Sequence, residues 1–209
     1  MLLYRLGRGY MLSTSIAMRT TQFEQLPPPT GRLVFLGDSI TEGGLWDEWF
    51  REAEPVNRGI GGNTIGDVLD RLDTAIANPA AVFLLVGTND LGLGHSAGQV
   101  AADMRRLVTA IRDRTPTAPL FVQSVMPRRA RFAARIRELN DAYRDIAAQA
   151  DAIYIDLWPA LTDGNGELRS EFTRDGLHLS GRGYAVWVEV LRPYIKALAL
   201  RREPGVPHE

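Results

Sequence analysis

Five short apolar runs punctuate the chain, at residues 32–36, 55–57, 81–86, 120–125 and 152–155. Their β-branched and aromatic content predicts buried strands. Between them, apolar residues recur at helical spacing. Ile65, Val68, Leu69, Leu72 and Ile76 form one stripe, and Val100, Met104, Leu107, Val108 and Ile111 form a second. A third runs through Phe132, Ile136, Leu139, Tyr143 and Ile146, and a fourth through Tyr184, Val188, Leu191, Ile195 and Leu198. Thr64 with Asp67, and Ser96 with Gln99, have the spacing of capping boxes that start the first two helices. Pro193 is expected to bend or interrupt the fourth. Strand and helix alternating in this way predict a parallel sheet with helices on both faces, an α/β three-layer sandwich.

Length and composition change this picture little. The 209 residues suit one domain, with 45% hydrophobic and 23% charged residues. A net charge of -1 argues against nucleic acid or an anionic membrane surface as partner. There is no cysteine, which excludes disulfides, thiolate metal sites and cysteine nucleophiles. No apolar stretch approaches the length of a membrane span. Residues 31–200 carry the whole alternating pattern. Residues 1–30 read as an appendage, free to pack on the domain or on a neighbouring subunit of a homo-oligomer, and 201–209 as a polar tail. The apolar stretches of the appendage are broken by Gly7, Gly9 and Ser13, unlike a secretory signal, so a cytoplasmic location is expected. Pro27, Pro28 and Pro29 predict a stiff spacer.

Ligands of open parallel sheets bind beyond the carboxyl ends of the strands. Three polar clusters stand there: Gly37-Asp38-Ser39, "NRGIGGNT" at 57–64, and "GTND" at 87–90. A fourth, "RDGLHLSGRGY" at 174–184, precedes the last helix and holds Asp175 and His178. A serine hydroxyl needs a neighbouring base to become a nucleophile. Imidazole, with an ordinary pKa of about 6.5, suits that task. A carboxylate three residues upstream, Asp175, can hold it in one tautomer. The amides of Ser39 and Gly62 and the side chain of Asn89 can serve as donors to an oxyanion. These are the parts that acyl transfer requires.

The four blocks resemble those of the SGNH hydrolases, also called GDSL esterases and lipases. Ser39, Gly62, Asn89 and His178 stand in the blocks for which that family is named. The resemblance implies a flavodoxin-like fold, hydrolysis of carboxylic esters of small molecules through an acyl-enzyme, and no metal or organic cofactor. It makes Ser39 the nucleophile, His178 the base, Asp175 its orienting acid, and Ser39, Gly62 and Asn89 the oxyanion hole. It also implies Gly62 rather than Gly61 as donor. Asn63 departs from the acidic residue many relatives carry there. A short acyl or acetyl group is the expected substrate, since the connections leave no room for a lid. Carbohydrate O-deacetylase, thioesterase and acyltransferase are variants of the same chemistry, and a non-catalytic binding module is the reading from another class.

Several residues have blander readings. Ser39 alone would be a helix N-cap, and Asn89 a loop tie. Asp38 is expected to fix the turn before Ser39 through backbone hydrogen bonds. His95 and His208 lack an acid three residues upstream. "GLGHSA" at 92–97 does not follow its strand directly, unlike a dinucleotide fingerprint. Arg128, Arg129, Arg131, Arg135 and Arg137 read as a solvated face, although the first two fall near the sheet rim. Trp46 and Trp49 suit either an acyl pocket wall or the core.

Overall fold

The computed structural model describes the backbone of residues 2–202 and the side chains of residues 14–200. The elements run α1 (Leu2–Gln25), β1 (Leu33–Gly37), α2 (Ser39–Glu42), α3 (Trp46–Trp49), β2 (Val56–Gly59), α4 (Ile65–Asp70), α5 (Leu72–Ala75) and β3 (Ala81–Leu85). They continue with α6 (Thr88–Gly92), α7 (Ala97–Arg114), β4 (Leu120–Gln123), α8 (Ala133–Gln149), β5 (Ile153–Ile155), α9 (Trp158–Leu161) and α10 (Gly181–Arg202). Residues 203–209 of the expected polar tail lie outside the described residues.

All five expected strands form, and all pair in parallel in the order β2-β1-β3-β4-β5. Chain order reverses about β1: β2 lies on one side and β3 on the other. This switch point opens a crevice at the carboxyl ends of β1 and β3.

The pleat divides the core in two. Val34, Leu36, Val82, Leu84 and Val122 face the apolar stripes of α4, α7 and α8. Leu33, Phe35, Phe83 and Phe121 face Trp46 and the α10 residues Trp187, Val188, Leu191 and Ile195. The second face is held by rings: Phe35 stacks on Trp46 at 4.1 Å and on Phe83 at 5.0 Å, and Phe83 on Phe121 at 4.4 Å. Trp46 is therefore a core residue. Trp49 is exposed and borders a cleft with Arg192, Ile195 and Lys196.

Both capping boxes form, at Thr64 and Ser96. The stripe at 65–76 is split between α4 and α5. Arg71 stands at the break with φ -111° and ψ 17°, and its guanidinium turns inward, donating to the Gly37 carbonyl at 2.9 Å and Asn63 Oδ1 at 2.7 Å. Pro193 does not interrupt α10, whose helical packing against the sheet outweighs one missing N–H.

Residues 2–25 form the helix α1. From residue 14 onward it packs on the domain through Ile16, Arg19 and Phe23, of which Phe23 is buried. Among the described residues, no helix is long and apolar enough to cross a membrane.

Candidate active site

Strand β1 is buried on both faces and ends at Gly37. A β-carbon there would collide with the Leu85 carbonyl oxygen and Thr41 Oγ1, so only glycine lets β1 and α2 approach β3 so closely. Asp38 then caps α2, accepting from the Ile40 N–H at 3.0 Å, and Ser39 becomes the first helical residue. A strand running straight into a helix N-terminus thus delivers the hydroxyl at the switch point.

His178 arrives from the loop before α10. Its Nε2 lies 3.0 Å from Ser39 Oγ, across 139 residues of sequence. Its Nδ1 lies 2.7 Å from Asp175 Oδ2. The tautomer protonated at Nδ1 fits both contacts, leaving Nε2 to accept from the serine. The other Asp175 oxygen accepts the N–H groups of Leu177 at 2.9 Å and His178 at 2.8 Å. Such local side-chain-to-backbone bonds close the loop and fix the acid relative to the ring. Partial burial alone would raise the Asp175 pKa, but the His178 ring and the two N–H groups together outweigh it. They hold the carboxyl well below the usual carboxylate range.

The second block borders Ser39: a β-carbon on Gly61 would lie 3.7 Å from Ser39 Cβ. Gly61 donates its N–H to Glu42 Oε2 at 2.6 Å and is thereby committed. Gly62 has φ +78°, and no acceptor for its N–H occurs among the described residues. Asn89, on α6, donates one Nδ2 hydrogen to the Asn63 carbonyl at 2.8 Å. That bond ties the third block to the second and leaves the other Nδ2 hydrogen for a ligand. All the residues singled out in the four blocks thus come together at one rim.

The profile of the GDSL-like Lipase/Acylhydrolase family matches residues 35–186, from β1 into α10 and across all four blocks. The chain belongs to this family. Platelet-activating factor acetylhydrolase IB subunit alpha1 of Pongo abelii is 30% identical over 188 residues, spanning 84% of this chain and 80% of that protein. A Streptococcus pneumonia structure named for platelet activating factor superposes with TM-score 0.82 at 26% identity, over 93% of this chain and 98% of its own. An acetyl-xylooligosaccharide esterase from Geobacillus shares the fold, with TM-score 0.67 at 18% identity over 81% and 95% of the two chains. Membership implies a hydrolase acting on esters.

In this GDSL-like acylhydrolase, Asp38 is fully buried beside the Ser39–His178 pair. Burial pushes its carboxyl up to about 7, against the Ile40 N–H and the His178 charge, which lower it. Asn63 is buried and accepts from Arg71. Burial, with the Arg19 and Arg58 charges, lowers the Arg71 guanidinium to about 10.

The acylhydrolase also uses residues that a solvated-face reading of the arginines passes over. Arg128 is half-buried over the Phe132 ring and donates to the Thr88 carbonyl at 2.9 Å, bracing the third block. Arg129 donates to the Asp175 carbonyl at 3.3 Å, and Gly176 packs against its side chain. Their place just past β4 was the available signal. Tyr184 donates to the Ile40 carbonyl at 2.7 Å, joining α10 to the turn that carries Ser39. Asn57 donates to three carbonyls, those of Thr41, Glu42 and Gly44, at 2.9–3.1 Å. One group of metal-compatible donors exists among the described residues, Asp90, His95 and Asp103. None of them belongs to the Ser39–His178–Asp175 chain, and Asp90 already accepts the Ile65 N–H through both oxygens.

Proposed function

We propose that the protein is a serine esterase that cleaves short-chain acyl esters, acetyl above all, through an acyl-enzyme. In this reading His178 Nε2 takes the Ser39 proton as Oγ attacks the ester carbonyl. Asp175 holds the ring and stabilises the imidazolium that forms. The tetrahedral oxyanion is met by the Ser39 and Gly62 N–H groups and the second Nδ2 hydrogen of Asn89. The imidazolium then protonates the leaving alcohol, which departs. In the second half-reaction His178 deprotonates a water, which attacks the acyl-Ser39 carbonyl; the imidazolium then returns its proton to Ser39 Oγ as the carboxylic acid is released.

The observation that carries this reading is the unbroken chain from Ser39 through His178 to Asp175, at 3.0 and 2.7 Å. The acetyl preference is supported by the name of the Pongo abelii relative, an acetylhydrolase. The half-exposed position of His178 favours a site open to alcohol groups of varied size.

The test is labelling with an organophosphonate followed by peptide mapping, beside a panel of aryl esters from acetyl to octanoyl that includes acetylated sugars and thioesters. Phosphonylation of Ser39 and turnover greatest for acetyl and propionyl esters are expected. Folded protein that leaves Ser39 unlabelled and all esters intact would favour a binding module.

A further inference from the structure

The oxyanion loop, Ile60 to Asn63, contains two adjacent glycines and is therefore loose unless held from outside. Its far end is well anchored: Asn63 is tied to Arg71 through its side chain and to Asn89 through its carbonyl. At its near end, Ile60 donates to the Gly37 carbonyl at 3.1 Å, and Gly61 is held by Glu42 Oε2. The other Glu42 oxygen, Oε1, faces Arg19 Nε on α1 at 3.3 Å. The same Nε donates to the Gly59 carbonyl, just before the loop, at 2.6 Å.

Arg19 is itself seated. Its guanidinium lies 5.1 Å from the Phe23 ring centre, and that buried ring packs at 4.4 Å against Arg58. One turn earlier on α1, Ile16 reaches the loop directly: a β-carbon on Gly62 would meet its Cδ1 at 3.3 Å. Helix α1 thus touches Gly62 directly and reaches Gly61 through Glu42, although it lies wholly before the stretch that the family profile matches.

We propose that α1 is a working part of the active site, in which Arg19 holds Glu42, Glu42 holds the Gly61 amide, and Gly62 N–H is thereby kept aimed at the substrate oxyanion. This rests on Ser39 being the nucleophile. Arg19 and Glu42 act as positioning residues, since neither reaches the reacting atoms. Their ion pair is partly exposed, and such pairs contribute little to folding. Stability and rate are therefore separable.

The experiment compares the full chain with Arg19→Ala, Glu42→Gln, their double variant, Arg19→Lys, and Thr21→Ala as a control on the exposed side of α1. Acetyl ester kinetics are read beside amide hydrogen exchange at Gly61 and Gly62. Arg19→Ala and Glu42→Gln should each lower kcat about 10- to 100-fold, the range expected when a donor is misplaced. KM should stay within about twofold, and Gly61 should exchange faster. The double variant should be no worse than the worse single one, because both break one chain. Arg19→Lys should recover part of the rate, and Thr21→Ala should match the parent. Unchanged kcat, unchanged Gly61 exchange, or additive losses would each overturn the proposal. A parent that is neither active nor phosphonylated at Ser39 would overturn the esterase reading instead, while the exchange rates would still report on the clamp.

Discussion

Replacing Asp38 by asparagine should remove a pH-dependent loss of stability that this one buried carboxyl imposes. Asp38 is fully buried; one oxygen accepts from Ile40, and the other has no hydrogen-bond partner among the described residues. Its pKa is raised from 3.8 to about 7, chiefly by burial, with the Asp90 charge adding to the rise and the Ile40 N–H and His178 opposing it. In the unfolded chain the same group ionises near pH 4. Between about pH 4 and pH 7 the folded state therefore binds the extra proton, and stability falls as pH rises through that window. Below it both states are protonated and nothing is lost. Above it the loss is complete. About 3 pH units at 1.36 kcal/mol each sets its size at about 4 kcal/mol. Asp90 is also raised by burial and tilts stability in the same direction, so the parent's slope alone does not isolate Asp38. The difference between parent and Asp38→Asn does. Asparagine keeps the acceptor for Ile40 and loses the titration. Urea unfolding followed by tryptophan fluorescence, at steps from pH 4 to pH 8.5, should show the parent losing about 4 kcal/mol more than the variant. Parallel profiles across that range would refute a buried, neutral Asp38.

Four further outcomes follow from the site and its supports. Ser39→Ala should abolish turnover of acetyl esters while leaving circular dichroism and melting temperature near those of the parent. Asn89→Ala should lower kcat by about 10²–10³; because its amide also holds the Asn63 carbonyl, hydrogen exchange in the second block should quicken as well. Asp175→Asn should lower kcat by about 10³–10⁴ through loss of the ring's orientation and charge partner, and a drop below tenfold in steady-state assays would remove it from the triad. Gly37→Ala should cost more than about 3 kcal/mol in denaturant unfolding, since the obstacle is the Leu85 carbonyl rather than a side chain that can turn away.

The sheet and its rim were legible because the sequence states them locally. β1, β3 and the start of β4 are apolar runs, and the polar clusters that bring Ser39 and Asn89 stand directly beyond β1 and β3. Asp175 and His178 were legible for the same reason, as a close pair just before an amphipathic stretch. The break at Arg71 was not, because the apolar stripe passes through it unchanged. What ends the helix is a long side chain reaching the Gly37 carbonyl, 34 residues away in sequence. Packing of residues 1–30 on the domain was one of two placements expected, but the helix α1 and the contacts it makes were hidden. Its inward face mixes Ile16, Arg19 and Phe23, and an arginine over an aromatic ring reads in sequence as an ordinary surface charge. Glu42 follows the first block by three residues and looks like a solvent-facing helix residue until the Gly61 amide is found on it.

These misses have one physical origin. The side chains of the Ser39–His178–Asp175 chain are short, and each must be delivered by the backbone beside an element's end, where sequence position nearly determines place. The residues that aim them are long or amide-bearing and act across the fold on backbone groups: Arg71 on Gly37, Asn57 on Thr41, Glu42 and Gly44, Arg128 on Thr88, Arg129 on Asp175, and Tyr184 on Ile40. All of these bonds end on a main-chain carbonyl, which every residue possesses, so the acceptor leaves no mark in the sequence. Asn57→Ala would leave the Glu42 and Gly44 carbonyls without their side-chain donor, the Thr41 carbonyl keeping the Trp46 indole N–H, and should cost about 1–3 kcal/mol, while preserving every residue of the four motif blocks except Asn57 itself. If that variant unfolded in denaturant with the parent's midpoint, the rim would owe its geometry to strand register alone, and the long-range braces would be incidental to it.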